Sequence, residues 1–178
     1  MIQIIDDFLP LHEWMALDHI INGDMMPWYW NNTITYKTFK NEPGQFTHSF
    51  FMPNEGIVTD HWNVVKPILD RIATDVEGHP AGKRVYQTLR VKANLNWRTD
   101  KQMQLGEYHS DYPAIHNATT AIFYCNTNNG YTKFEENEQE VQSKANRLVI
   151  FPVGLKHVGY SATDTKRRVL INFNYLMY

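Results

Sequence analysis

From Arg90 to Asn96 the chain alternates without a break. Arg90, Lys92, Asn94 and Asn96 are polar, and Val91, Ala93 and Leu95 between them are apolar. A period of two belongs to an extended strand with one face on a core and the other turned toward something polar. Seven further runs of strand-like composition follow, at 107–112, 119–126, 131–134, 140–142, 147–151, 156–160 and 168–176. Turn signals such as Asn128-Asn129-Gly130 separate them. Eight short strands in succession predict a double-sheet barrel or jelly roll.

The first half reads differently. Pro10 can sit in a first helical turn, and Leu11, Trp14, Leu17 and Ile21 then recur at helical spacing. A second helix is expected from Thr59 or Asp60, with Trp62, Val65, Leu69, Ile72 and Val76 on its apolar side and a kink or restart at Pro67. Residues 33–38 and 46–52 look like short strands on either side of the turn Asn41-Glu42-Pro43-Gly44. The expected fold is α+β and β-rich, a jelly roll with N-terminal helices packed on one sheet. It forms a single domain over 1–178, in which 1–83 is mainly helical support and 84–178 is the β core.

Composition narrows the partners. A hydrophobic share of 43%, with 13% aromatic residues, is enough for one core in 178 residues. A net charge of −2 with no basic block argues against nucleic acid. No apolar run approaches the roughly 18 residues that span a bilayer, and Met1–Asp7 lacks the cationic start of a signal peptide. The single cysteine, Cys125, excludes an internal disulfide and fits a reducing compartment, so a cytoplasmic location is expected.

Among eight histidines, only His109 begins a His-x-acid pattern, as His109-Ser110-Asp111. Chance alone accounts for about one such tripeptide with this many histidines and acids, so its context matters. Positions i and i+2 of a strand share a face, which lets His109 and Asp111 present an imidazole and a carboxylate together. Two ligands leave a divalent ion under-coordinated. His157 follows the apolar run Leu148–Phe151 and the turn Pro152-Val153-Gly154, and is placed to add a third from an opposite strand. Two histidines and one carboxylate with open positions suit non-haem iron(II). Eleven residues after His157, Arg168 opens the last strand, where a guanidinium can hold a carboxylate in a bidentate pair. Its neighbours Lys166 and Arg167 read as a solvated turn.

Taken in order, these pieces resemble the 2-oxoglutarate- and iron(II)-dependent oxygenases, in particular the prolyl-4-hydroxylase-like branch. The resemblance covers about Arg84 to Leu176. It rests on His109-x-Asp111, Thr120–Asn126, Asn129–Phe134, Asn146–Pro152, His157 and Arg168. It implies a double-stranded β-helix with His109, Asp111 and His157 holding iron(II). Arg168 and Tyr124 would take the distal carboxylate of 2-oxoglutarate. Asn94 lies on the strand that often contributes a tyrosine to the co-substrate. Two positions depart from the family pattern: Tyr131 replaces a glycine, and Leu170 replaces a serine, which nominates Asn172 as the second carboxylate partner. The implied reaction uses dioxygen to hydroxylate a C–H bond of a small molecule or a peptidyl residue, prolyl included.

Tyr108, Tyr112 and His116 flank the metal motif as candidate substrate contacts. Met25–Trp30 reads as an aromatic wall at the mouth or as ordinary packing. Two other readings share the scaffold, a cupin-like metalloenzyme without a 2-oxo acid and a non-catalytic binding module.

Overall fold

The computed structural model describes residues 1–34, 43–75, 85–115 and 117–177. The first half contributes β1 (Gln3–Ile5), α1 (Leu11–Ile21), β2 (Tyr29–Asn31), β3 (Gln45–Met52), β4 (Gly56–Ile57) and α2 (Trp62–Asp75). The second half contributes β5 (Val85–Trp97), β6 (Gln104–His109), β7 (Ala118–Tyr124) and β8 (Tyr131–Phe134). Then come β9 (Glu140–Gln142), β10 (Arg147–Pro152), β11 (His157–Tyr160) and β12 (Arg167–Met177).

Two antiparallel sheets result. The larger runs β1-β10-β7-β12-β5-β3-β2, with β4 paired to β3, and the smaller runs β6-β11-β8-β9. The alternation along β5 sorts its side chains between two environments. Val91, Ala93 and Leu95, with Val169, Ile171 and Phe173 of β12, bury against Leu17 and Ile21 of α1 and Val65, Ile68 and Ile72 of α2. Each of the Val, Leu, Ile and Phe side chains among them, fully buried, contributes about 1.5–3 kcal/mol. The opposite face of the larger sheet meets the smaller one through Ile122, Tyr124, Val149 and Leu170 against Phe134 and Val141. The N-terminal helices therefore cover one face of the larger sheet, and the other face is left for the site.

The structure departs from the sequence expectations in several places. The first half is more than helical support, because β1, β2, β3 and β4 all join the larger sheet. β1, β2 and β4 are too short to show a period. β1 is held by pairing with β10 and by Asp6, whose Oδ1 accepts from Arg147 Nε at 2.6 Å. Pro67 lies inside α2 without ending it, because Val65, Ile68 and Ile72 remain fully buried around it. The strand expected at 107–112 is β6, which starts and ends three residues earlier. Of the strand expected at 33–38, Thr33 and Ile34 are not in a strand, and the rest lies outside the described residues, as does Val76. Met26 is buried in the helix-side core and Trp28 packs against it, whereas Tyr29 and Trp30 are exposed on β2. The aromatic cluster is mostly packing and does not wall the site. No helix among the described residues is long and apolar enough to cross a membrane.

His48 ties β3 to the segment before α2. Its Nδ1 lies 2.8 Å from the Pro27 carbonyl and its Nε2 lies 3.0 Å from Thr59 Oγ1. A carbonyl only accepts, so Nδ1 carries the proton and Nε2 receives the threonine hydroxyl. Burial holds the ring below the usual imidazole value of 6.5. The unfolded chain therefore takes up a proton near pH 6.5 that the folded chain refuses, and stability is lost as pH falls through that value. His48→Gln is expected to flatten the fall in melting temperature between pH 8 and 5, and a wild-type slope in the variant would contradict this.

Candidate active site

His109 closes β6, and His157 opens β11 directly opposite it in the register of the smaller sheet. Their ring centroids are 4.9 Å apart. The two rings are oriented by the same device. His109 Nδ1 lies 2.9 Å from the Glu107 carbonyl and His157 Nδ1 lies 3.2 Å from the Leu155 carbonyl, each two residues back. Both Nδ1 atoms therefore donate, and both Nε2 atoms keep a free lone pair. Burial, supported by His109, pushes the His157 pKa down to about 4 against the pull of Asp111. At neutral pH it is a neutral imidazole, the form that ligates metals.

Asp111 completes the set. One donor atom each from His109, Asp111 and His157 lies within 4.8 Å of the others. Side-chain rotation can close such a span around a cation with bonds of about 2.1 Å. Asp111 is not on β6 as expected, but in the bend just beyond it. The reason is the larger sheet. Its Oδ1 accepts from Arg90 Nη2 of β5 at 2.8 Å. Its Oδ2 accepts from Thr120 Oγ1 of β7 at 3.2 Å and from the amides of Asn172 and Asn174 of β12 at 3.0 Å each. Burial alone would raise its pKa, but Arg90, the two histidines and the Asn172 amide hold the carboxyl well below the usual carboxylate range. Oδ2 is saturated, and Oδ1 retains a lone pair for a cation.

Arg168 stands at the other end of the same cavity, which encloses about 710 Å³ between the sheets. It is 2% exposed. Its Nε donates to Ser143 Oγ at 2.9 Å and its Nη2 to Thr132 Oγ1 at 3.2 Å. Among the described residues no carboxylate pairs with it, although a buried guanidinium ordinarily requires one. Lys166 is exposed in the bend before β12, as expected, whereas Arg167 is not in that turn but is half-buried as the first residue of β12, opposite Trp97.

Tyr124 is fully buried behind this arginine and does not line the cavity. Its ring lies under the guanidinium at 5.6 Å, and its hydroxyl donates to Thr132 Oγ1 at 2.8 Å. The Tyr124 hydroxyl also reaches the Val141 carbonyl at 3.4 Å, and Thr132, which lines the cavity, is the hydroxyl shared between the phenol and the guanidinium. Asn172 is not beside Arg168 either. It lies four residues along β12, bound to Asp111. Asn94 lines the cavity opposite Leu170, its Oδ1 buried without a donor among the described residues. Tyr108 and Tyr112 line the cavity, and His116 lies outside the described residues. Sequence reading gave no role to Thr132, Ser143 and Arg90; Thr132 lies inside the Asn129–Phe134 piece of the resemblance, whereas Ser143 and Arg90 carry no motif. Only the alternation placing Arg90 on the inner face of β5 hinted at one of them.

No family model matches the chain, and no curated protein matches it in sequence. Solved structures do match. A 2OG-Fe(II) oxygenase family oxidoreductase from Burkholderia pseudomallei aligns over 98% of this chain and 84% of its own, with a TM-score of 0.71 at 11% identity. A prolyl hydroxylase from Trichoplax adhaerens, solved with a hypoxia-inducible-factor peptide, aligns over 98% and 83%, with a TM-score of 0.66 at 12% identity. A Pseudomonas putida prolyl-4-hydroxylase aligns over 98% and 91%, with a TM-score of 0.59 at 15% identity. The chain has the fold of the 2OG-Fe(II) oxygenases, prolyl hydroxylases among them.

Gly130 makes room for Arg168. A Cβ there would stand 2.7 Å from Arg168 Cδ, 2.8 Å from Asn128 Oδ1 and 2.9 Å from the Tyr160 carbonyl. Gly130→Ala is therefore expected to cost about 1–3 kcal/mol of stability by overpacking. Thermal unfolding measures it, and an unchanged melting temperature would refute the close approach.

Proposed function

We propose that this protein is a non-haem iron(II)- and 2-oxoglutarate-dependent dioxygenase that hydroxylates a C–H bond of a small-molecule or peptidyl substrate. The observation that carries the reading is a buried guanidinium, with no carboxylate partner among the described residues, in the same cavity as two imidazoles and an ionised carboxylate. The donor set suits iron(II), and the guanidinium calls for an anion. A cupin-type site without a 2-oxo acid would leave Arg168 buried with nothing to neutralise it.

In this reading His109, Asp111 and His157 hold the metal, and Arg168 takes the distal carboxylate of the co-substrate. When bound, iron(II) and 2-oxoglutarate supply the oxidising power drawn from dioxygen, with release of succinate and carbon dioxide. The protein's own work is positional. The Glu107 and Leu155 carbonyls fix the imidazole tautomers, and the β12 amides aim Asp111. Thr132 takes the role that sequence reading gave to Asn172, donating its hydroxyl proton to the carboxylate beside Arg168. Tyr124 supports the pair from behind, its phenol kept protonated by burial. Asn94 offers an amide to whatever lies over Leu170.

The strand order supports a double-stranded β-helix, since β5, β7, β10 and β12 fall in one sheet and β6, β8, β9 and β11 in the other. Both halves of the chain share one core, which supports a single domain over 1–178. The buried thiol of Cys125 suits a reducing, cytoplasmic setting. The peptide bound by the Trichoplax prolyl hydroxylase keeps a peptidyl substrate within the reading.

Anaerobic titration with iron(II) and then 2-oxoglutarate tests this. The wild type is expected to bind both and to release succinate on admission of air. Asp111→Ala and His157→Ala should lose metal uptake. Arg168→Met should keep the metal but weaken 2-oxoglutarate on the order of a hundredfold, as for truncation of a buried charge pair. Equal 2-oxoglutarate affinity in Arg168→Met and wild type would sink the reading.

A further inference from the structure

The inward face of β5 carries two cations, and only one of them is engaged. Arg90 gives Nη2 to Asp111 and Nε to Asn174 Oδ1 at 3.1 Å. Lys92, two residues on, lines the cavity and has no hydrogen-bond or carboxylate partner among the described residues. Across the sheet it faces Asn172 on β12 and Ser49 on β3. Burial, followed by the charge of Arg90, lowers its pKa to about 8 against the pull of Asp111. It is still mostly an ammonium at neutral pH.

Unfilled hydrogen-bonding capacity surrounds it. Asn94, the next inward residue of β5, and Asn172, directly opposite, each bury an Oδ1 with no donor among the described residues. Ser49 lines the same wall. A ligand that satisfies this wall brings an anion to Lys92 and N–H or O–H groups to the two amide oxygens. Such a ligand also lies beside the metal position, because Asn172 is hydrogen-bonded to Asp111. Arg168 is too far along to share it, since it pairs with Asn96, four residues from Lys92 on β5.

We propose that Lys92 seats a carboxylate of the primary substrate, which makes that substrate a small amino or hydroxy acid with its carboxylate free. This rests on the oxygenase reading, in which Arg168 is occupied by 2-oxoglutarate. The acid enters above the metal with its carboxylate on Lys92. Its amine or hydroxyl donates to Asn94 and Asn172, and this fixes which C–H bond faces the centre. A residue inside a peptide chain has no terminal carboxylate to offer.

The test uses full-length protein loaded anaerobically with iron(II) and saturating 2-oxoglutarate. The probes are the common free L-amino acids, lactate and malate, each beside its primary amide, with glycerol phosphate as the phosphate control. Thermal shift ranks them, and calorimetry gives Kd. At least one acid is expected to bind while its amide does not. Lys92→Met should weaken that acid on the order of tenfold to a hundredfold, as for loss of a desolvated charge partner, and Lys92→Arg should restore much of it. The ligand-free Lys92→Met protein should melt no lower than wild type, because it loses a buried charge that had no counter-ion.

Three outcomes overturn the proposal: no acid binds although 2-oxoglutarate does, amides or glycerol phosphate bind as well as the acids, or Lys92→Met weakens 2-oxoglutarate itself about tenfold. The last would assign Lys92 to the co-substrate. Failure of wild type to bind 2-oxoglutarate at all would instead overturn the oxygenase reading beneath it.

Discussion

One carboxylate joins the two sheets. Asp111 follows β6 of the smaller sheet, yet every side chain bonded to its oxygens comes from the larger one: Arg90 of β5, Thr120 of β7, and Asn172 and Asn174 of β12. That arrangement pulls the chain out of β6 immediately after His109 and sets the carboxylate near the histidine pair. An ion pair this buried is stable only when most of its other hydrogen-bonding capacity is met, and here Oδ2 is saturated while Oδ1 keeps one lone pair for a cation. Removing any one donor would leave an exposed demand on Asp111 and loosen the spacing of all three candidate ligands.

The rest of the cavity follows from the same alternation that builds the helix-side core. The strands β5, β7, β10 and β12 of the larger sheet send alternate residues toward α1 and α2, and those residues are apolar almost throughout. The residues between them face the smaller sheet, and on β5 and β12 most are polar or charged. A chain that lines a barrel with Arg90, Lys92, Asn94 and Arg168 gives up core stability at those positions. Such local cost is characteristic of functional sites. Among the described residues Arg168 has no carboxylate and two asparagine oxygens have no donor, and these unmet groups describe the chemistry of what should enter.

Much of this was legible in the amino-acid order. β8 and β9 begin and end where composition and turns place them, because Gly130 and the polar Glu135–Gln139 run interrupt the pattern sharply. His157 falls opposite His109, as a barrel requires of a distant third ligand. Where sequence reading and structure differ, contacts across strands are the reason. Strand spacing put Asp111 on β6, and the family resemblance set Asn172 and Tyr124 against the carboxylate that Arg168 would hold; cross-strand hydrogen bonds place all three elsewhere. Ser143, which with Thr132 cradles Arg168, has no sequence signature at all.

The sequence by itself determined the period-two strands, the apolar stripes of the two helices and the residue types available for chemistry, since these depend only on local sterics and side-chain character. Tertiary structure alone decided which oxygen of Asp111 is saturated, that Thr132 and Ser143 meet Arg168, and that Lys92 and Arg168 line one cavity with no carboxylate bonded to either among the described residues. Those properties arise from pairing registers between strands tens of residues apart. No local rule sets a register, because burial of the whole sheet selects it.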